Sequence, residues 1–270
     1  TQARKAFDQK YGFTLWALLK IYYNRPVHRT STANSIKTGM KEKKVKSPQQ
    51  SIVLNLFSKD NLLICGILST ILYVAATILG AIRWDEYDSA SQTVSELFAI
   101  GAPSSSVIVP AFLIYSLLVF AFGAGIWISA GNQKTLRIVA ILVISKEVLG
   151  VIGLLFAPMH MRGMGTSLTD LMHIVITITG VLLCMFPAII FGAFSFGKGF
   201  RIFSFITIVI FLVFGTLAGM EGSKIAENQP TPYAGIWERI NIFTYFIWVV
   251  VLSIILLKRN RTQAGQIDPQ

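Results

Sequence analysis

The stretch Asn61–Ile82, NLLICGILSTILYVAATILGAI, contains no charged residue and is long enough to decide the fold class. A helix needs about 20 apolar residues to cross a hydrocarbon core of about 30 Å. Five more runs share this character, at 107–129, 136–157, 170–194, 201–219 and 240–257. In lipid, backbone polar groups must be bonded within the segment, so each run reads as a helix. Strands that span membranes are much shorter and alternate in polarity. The whole chain agrees. Of its 270 residues 53% are hydrophobic and only 14% charged, against about 25% charged in a soluble domain. The expectation is an all-α polytopic membrane protein with a six-helix transmembrane bundle over 61–257. A basic arm (1–60) precedes it and a tail (258–270) follows. The first run begins at Asn61 and is too long for the apolar region of a cleavable signal peptide.

Charge sets the expected orientation. In residues 1–60, twelve Lys or Arg stand against three Asp or Glu, and Lys134, Arg137, Lys198, Arg201, Lys258, Arg259 and Arg261 fall on the same side of six spans. The segments on that side carry a net +15, and those on the other side −4. The positive-inside rule places both termini in the cytoplasm. Within the arm, AFDQKYGFTLWALLKIYY (6–23) is expected to lie as an interfacial helix, and KTGMKEKKVKSPQQ (37–50) as a solvated basic linker. Such a cluster attracts anionic lipid. No base-reading motif accompanies it, so nucleic acid is not an expected partner. Docking on a larger membrane complex stays open. Cys65 and Cys184 lie inside apolar runs and read as free buried thiols.

Scarce ionisable residues collect at the opposite face. PMHMRGMGTSLTDLMHI (158–174) holds two of the three histidines, His160 and His173, with Arg162 and Asp170 between them. Ser167 or Thr169 is a plausible N-cap, and Asp170 suits the first turn of the following helix. Asp170 and His173, three apart, share a helix face, so the carboxylate is expected to orient the imidazole. WDEYDSASQTVSELFAIGAPSSS (84–106) adds Ser95 and Glu96, and MEGSKIAENQPTPYAGIWERI (220–240) adds Glu238 and Arg239 at the mouth of span six. A polar cup results. Arg162 and Arg239 would pair an anionic group, with Glu96, Glu238 and Ser95 beside them. The plainer alternative is a rim of structural ion pairs, such as Arg239 with Glu96 or Asp170. In an enzyme, His173 would be the general base, Asp170 its orienter and His160 or Glu96 an assistant. Two histidines with Glu or Asp suffice for zinc, but no metal-binding spacing supports it, and no cofactor is expected.

VISKEVLGV (143–151) puts Lys146 and Glu147 near the middle of span three, where charge is expensive and marks function by default. Adjacent helical residues point about 100° apart, so each is expected to find a partner on another span. Neutral candidates are Ser116, Tyr115, Thr177, Thr179 and Tyr245. A proton or ion relay is the sharp reading of this pair.

Three motifs, SELFAIGAPSS (95–105), FAPMHMRGMGTSLTDLMHI (156–174) and GIWERI (235–240), resemble the DUF998 family of bacterial six-helix membrane proteins, over about residues 61–257. The matching positions are Ser95, Glu96, Gly101, Pro103, Pro158, His160, Arg162, Asp170, His173, Gly235, Glu238 and Arg239. The resemblance implies the fold, a bacterial inner-membrane location and importance for these motifs, and it implies no activity. Lys146 and Glu147 lie outside the motifs. Three functions remain open: a protein that binds a small polar ligand or lipid headgroup, a lipid-acting membrane enzyme, and a proton-coupled carrier using Lys146 and Glu147.

Overall fold

The computed structural model describes residues 58–267, with side chains through 263. The helix expected at 6–23, the basic linker and the last three residues lie outside the described residues. Six helices are long and apolar enough to cross a membrane. We number them α1 (Lys59–Ile82), α2 (Ser105–Ala130), α3 (Lys134–Phe156), α4 (Leu168–Ala193), α5 (Lys198–Met220) and α6 (Ala234–Ile267). A 3-10 turn, Ser95–Phe98, and a one-turn helix, Gly222–Ala226, sit in connecting loops. The expected spans coincide with these helices except at the sixth. It begins at Ala234 rather than 240 and runs to Ile267 rather than 257. Its charged first turns are held by the first loop, as described below.

The helices are apolar nearly all round, as lipid demands. Ile71, Leu117, Leu183 and Val209 stay exposed, while Val119, Phe122, Val139, Ile189, Trp248 and Leu252 fill the interior. Sequence neighbours pack side by side, and α6 closes the ring on α1. One join is incomplete. The first half of α4, Leu168–Thr179, packs on α3, whereas only its second half packs on α5. Between the halves lies a π-helical turn, Gly180–Met185.

Small residues let the helices approach. A Cβ on Gly125 would come within 2.9–3.0 Å of the α1 backbone at Leu62 and Leu63, and one on Gly192 within 2.7 Å of the Trp248 ring. At the end bearing both helix termini Lys59 and Ile267, here the terminal end, polar bonds tie the ring. Asn260 donates to Asp60 (3.0 Å) and to Ser129 Oγ (3.2 Å), and Arg259 donates to Gln133 Oε1 (2.8 Å).

Replacing Gly125 by Val should lower stability by about 1–3 kcal/mol through overpacking against backbone. Gly219→Ala, with no neighbour within 4 Å of the new Cβ, should leave it unchanged or slightly raised. Thermal unfolding in detergent reads both, and the reverse order would contradict this packing.

Candidate functional site

At the other end, here the capped end, three loops gather around one ion pair. Arg162 Nε donates to Glu96 Oε1 at 2.5 Å, and Nη2 donates to Oε2 at 3.1 Å. Glu96 is 1% exposed. The same guanidinium gives Nη1 to Thr231 Oγ1 (2.7 Å) and Nη2 to the Ser91 carbonyl (2.6 Å). One side chain thus joins the α1–α2, α3–α4 and α5–α6 loops. Glu96 also accepts from the Thr93 amide (2.7 Å) and hydroxyl (3.0 Å). A planar fork facing a carboxylate suits such a junction, and a lysine could not replace it.

A second clamp fastens α6. Arg239 donates to the carbonyls of Ser89 (2.7 Å) and Gln92 (2.9 Å) and to the Tyr87 hydroxyl (2.6 Å). Gly235 is required where these carbonyls touch the helix, because a Cβ there would collide with the Gln92 and Ser89 oxygens. Glu238 accepts from the Val94 amide and from Ser95 Oγ (3.2 Å), fixing the 3-10 turn. The pairing of Arg239 with Glu96 or Asp170 does not form. Glu96 belongs to Arg162.

Asp170 and His173 do not pair either. Asp170 accepts from the His160 amide (2.7 Å) and lies 3.2 Å from His160 Nδ1. It also closes a capping box with Ser167, accepting from that residue's amide (2.8 Å) and hydroxyl (2.7 Å). A carboxylate at this position turns back to the cap, away from the residue one turn on. Ser167, His160 and Asp170 carry the residue types of a hydrolytic triad, but Ser167 Oγ and Asp170 meet the same ring nitrogen, Nδ1. A base between orienter and nucleophile needs both nitrogens. This cluster is a helix cap.

Beneath the cap lies a cavity of about 300 Å³. The 3-10 turn roofs it through Ser95 and Phe98, with Glu238 beside them, and it descends past His173 and Asn241 to Lys146, Glu147, Ser116, Tyr115 and Tyr245. Lys146 is about 18 Å from the start of α3 and about 15 Å from its end, so the floor is at mid-span. The cavity therefore joins the capped end to the intramembrane charges. Contrary to the geometric expectation, Lys146 and Glu147 do pair, Nζ to Oε2 at 3.3 Å, because the long lysine chain curls back. Ser116 donates to Glu147 Oε1 at 2.6 Å, and the Lys146 ammonium lies over the rings of Tyr115 (5.9 Å) and Tyr245 (5.6 Å). Three of the neutral candidates are thereby at the pair. Thr177 lines the cavity and Thr179 does not.

The sequence profile of DUF998, described as a protein of unknown function, matches residues 67–255. The chain belongs to the DUF998 family. No curated protein and no solved structure matches it. In this DUF998 chain the three motifs build the cap. Ser95, Glu96, His160, Arg162, Asp170, Gly235, Glu238 and Arg239 all act in the contacts above. His173 makes a contact outside the cap. Its Nδ1 donates to the Ala157 carbonyl at 2.9 Å, which leaves Nε2 as an acceptor on a side chain lining the cavity.

In the cap, both guanidiniums are engaged with the protein's own atoms, and at that end Glu221 Oε2 is a buried atom without a partner among the described residues. In the cavity, His173 Nε2, Asn241 Oδ1 and the hydroxyls of Tyr73, Tyr115, Tyr245 and Thr177 have no hydrogen-bond partner among the described residues. Tyr73 and Asn241 carried no sequence signal, since a lone polar atom in an apolar helix shows no phase. Among the described residues no three His, Cys, Asp or Glu side chains converge as a metal site would need.

Glu96→Gln should cost about 3–5 kcal/mol by leaving Arg162 buried without its counter-charge, and Arg162→Lys should not restore the bidentate contact. Denaturation in detergent measures both. Burial pushes the Tyr87 phenol up to about 12, above about 10 for an unfolded tyrosine. Its neutral form is favoured in the folded state. That contribution to stability is complete below about pH 10 and lost as pH rises towards about 12. Tyr87→Phe should flatten this alkaline loss, and an unchanged profile would count against burial of the Tyr87 phenol.

Proposed function

We propose that this protein binds a small amphiphile inside the membrane, in the cavity beneath the cap. The observation that carries the reading is the set of unpartnered polar groups along the cavity, from His173 and Asn241 down to Tyr115 and Tyr245. Buried polar groups are costly unless bonded, and more so in lipid, and here they share one cavity with the rings of Phe98, Phe112, Phe211 and Phe246. A volume of about 300 Å³ is at the lower end of small-molecule sites. A single chain with a compact polar group suits that space. Entry is lateral, beside the first half of α4, where packing against α5 and α6 is lacking and Thr177 is exposed. The ligand-binding role moves from Arg162 and Arg239 to His173, Asn241, Tyr115, Tyr245 and Lys146. The charge asymmetry supports a capped end facing away from the cytoplasm of a bacterial inner membrane, with the basic segments against anionic lipid.

A cavity-filling change tests this reading. Gly150 lines the cavity, and a Cβ there would meet only Glu147, at 3.7 Å. Gly150→Leu should weaken binding of a monoacylglycerol about tenfold or more, some 1.4 kcal/mol, with unchanged thermal stability. Native mass spectrometry from detergent is the assay. Wild-type affinity in a folded Gly150→Leu protein would refute the cavity as the binding site.

A further inference from the structure

The charged groups lining the cavity are not equally available. Glu147 is 2% exposed, and its two oxygens are taken by Ser116 and Lys146. Glu238 is held by Val94 and Ser95. The Lys146 side chain keeps 25% exposure and spends one of its three N–H donors, on Glu147. The unpartnered Tyr115 and Tyr245 hydroxyls line the same floor. The accessible floor is thus rich in donors and carries its positive charge outward, with the negative charge behind it. Donors of this kind fit an anionic head.

Charge balance adds a condition. Lys146 and Glu147 together sum to zero. A bound anion would leave the cluster with one net negative charge at mid-span, where an uncompensated charge is costly. One proton on Glu147 removes it. The ammonium then pairs with the ligand, and the neutral carboxyl can donate to the Ser116 hydroxyl oxygen while that hydroxyl donates to the Phe112 carbonyl. We infer that the cavity takes its amphiphile as an anion together with one proton, which is held on Glu147. This inference rests on the amphiphile site proposed above and names the charge and the linkage of that site.

The groups around Glu147 bear on any pH dependence. Tyr73 approaches from α1, Tyr115 and Ser116 from α2, Lys146 from α3, and Tyr245 from α6. Cys184 of α4 is within electrostatic reach of Lys146. Higher in the cavity stand His173 of α4 and Glu238 of α6, with Arg239 behind the latter. From α5 comes only Phe211. His173 is the other side chain here of a type that titrates near neutrality, so the test must separate it from Glu147.

The full chain in detergent is titrated with decyl sulfonate, which stays ionised throughout, and with decanol. Wild type should bind the sulfonate more tightly and take up one proton per sulfonate in weakly buffered solution. Its sulfonate affinity should fall as pH rises, by no more than about tenfold per pH unit for a one-proton linkage, while decanol affinity stays flat. Glu147→Gln should bind sulfonate tightly at every pH, and Lys146→Met should lose the sulfonate preference but keep decanol. Equal binding of the two ligands by wild type, with no proton uptake, would overturn the inference and leave the amphiphile site standing. A pH slope that survives in Glu147→Gln would also overturn it, by moving the proton to His173. Failure of both ligands to bind would remove the underlying site as well.

Discussion

The bidentate contact between Arg162 and Glu96 is the constraint on which the capped end depends. It lies at the meeting point of three loops, each of which alone is a polar excursion between apolar helices. Glu96 is almost wholly buried, and burying a carboxylate is tolerable only when a matched cation and further donors satisfy it. Arg162 supplies the cation, and Thr93 supplies the donors. The pair fixes the 3-10 turn, and the 3-10 turn is the roof of the cavity. The second clamp, Arg239 on the carbonyls of Ser89 and Gln92, sets the height of α6 against that roof. Architecture at one end thereby determines the shape of a space at mid-span.

This division explains why the two arginines of the cap are not free to take a ligand. Two arginines near a surface suggest an anion site until their donors are counted. Here those donors are committed to carbonyls, a threonine, a tyrosine and a glutamate of the same chain. The membrane interior shows the opposite. Tyrosine hydroxyls, an asparagine oxygen and a histidine nitrogen reach one cavity without partners, and a lysine shows its ammonium to it. The π-helical turn at Gly180–Met185 contributes Gly180, Val181 and Met185 to the wall. It falls where α4 passes from packing on α3 alone to packing on α5 as well. Turns of this kind are found often at functional sites.

Much of the fold was legible in the sequence. Runs of some twenty uncharged apolar residues permit little but spanning helices, so Asn61–Ile82 and its counterparts marked the bundle directly. The set of residues in the cap was also legible, because charge in so apolar a chain is scarce and its placement informative. Their pairings were not. Spacing put Asp170 and His173 on one helix face, yet Asp170 is the third residue of its helix and serves the cap. The start of α6 was hidden because Glu238 and Arg239 look like loop residues until Ser89, Gln92, Val94 and Ser95 are placed against them. The cavity was half visible. Lys146, Glu147, Ser116, Tyr115 and Tyr245 stood out, while Tyr73 and Asn241 did not. In helices that are apolar on every face, periodicity does not tell the inside from the lipid side.

The most direct test of the account is a photo-crosslinking map with a diazirine-bearing single-chain amphiphile, read by peptide mass spectrometry with and without unlabelled competitor. The account predicts competable labelling on cavity-lining positions of α2, α3, α4 and α6, centred on Tyr115, Gly150, Thr177 and Asn241. Labelling that competitor does not displace, spread over lipid-facing positions such as Ile71, Leu117 and Val209, or competable labelling confined to Arg162 and Arg239 in the cap, would contradict it.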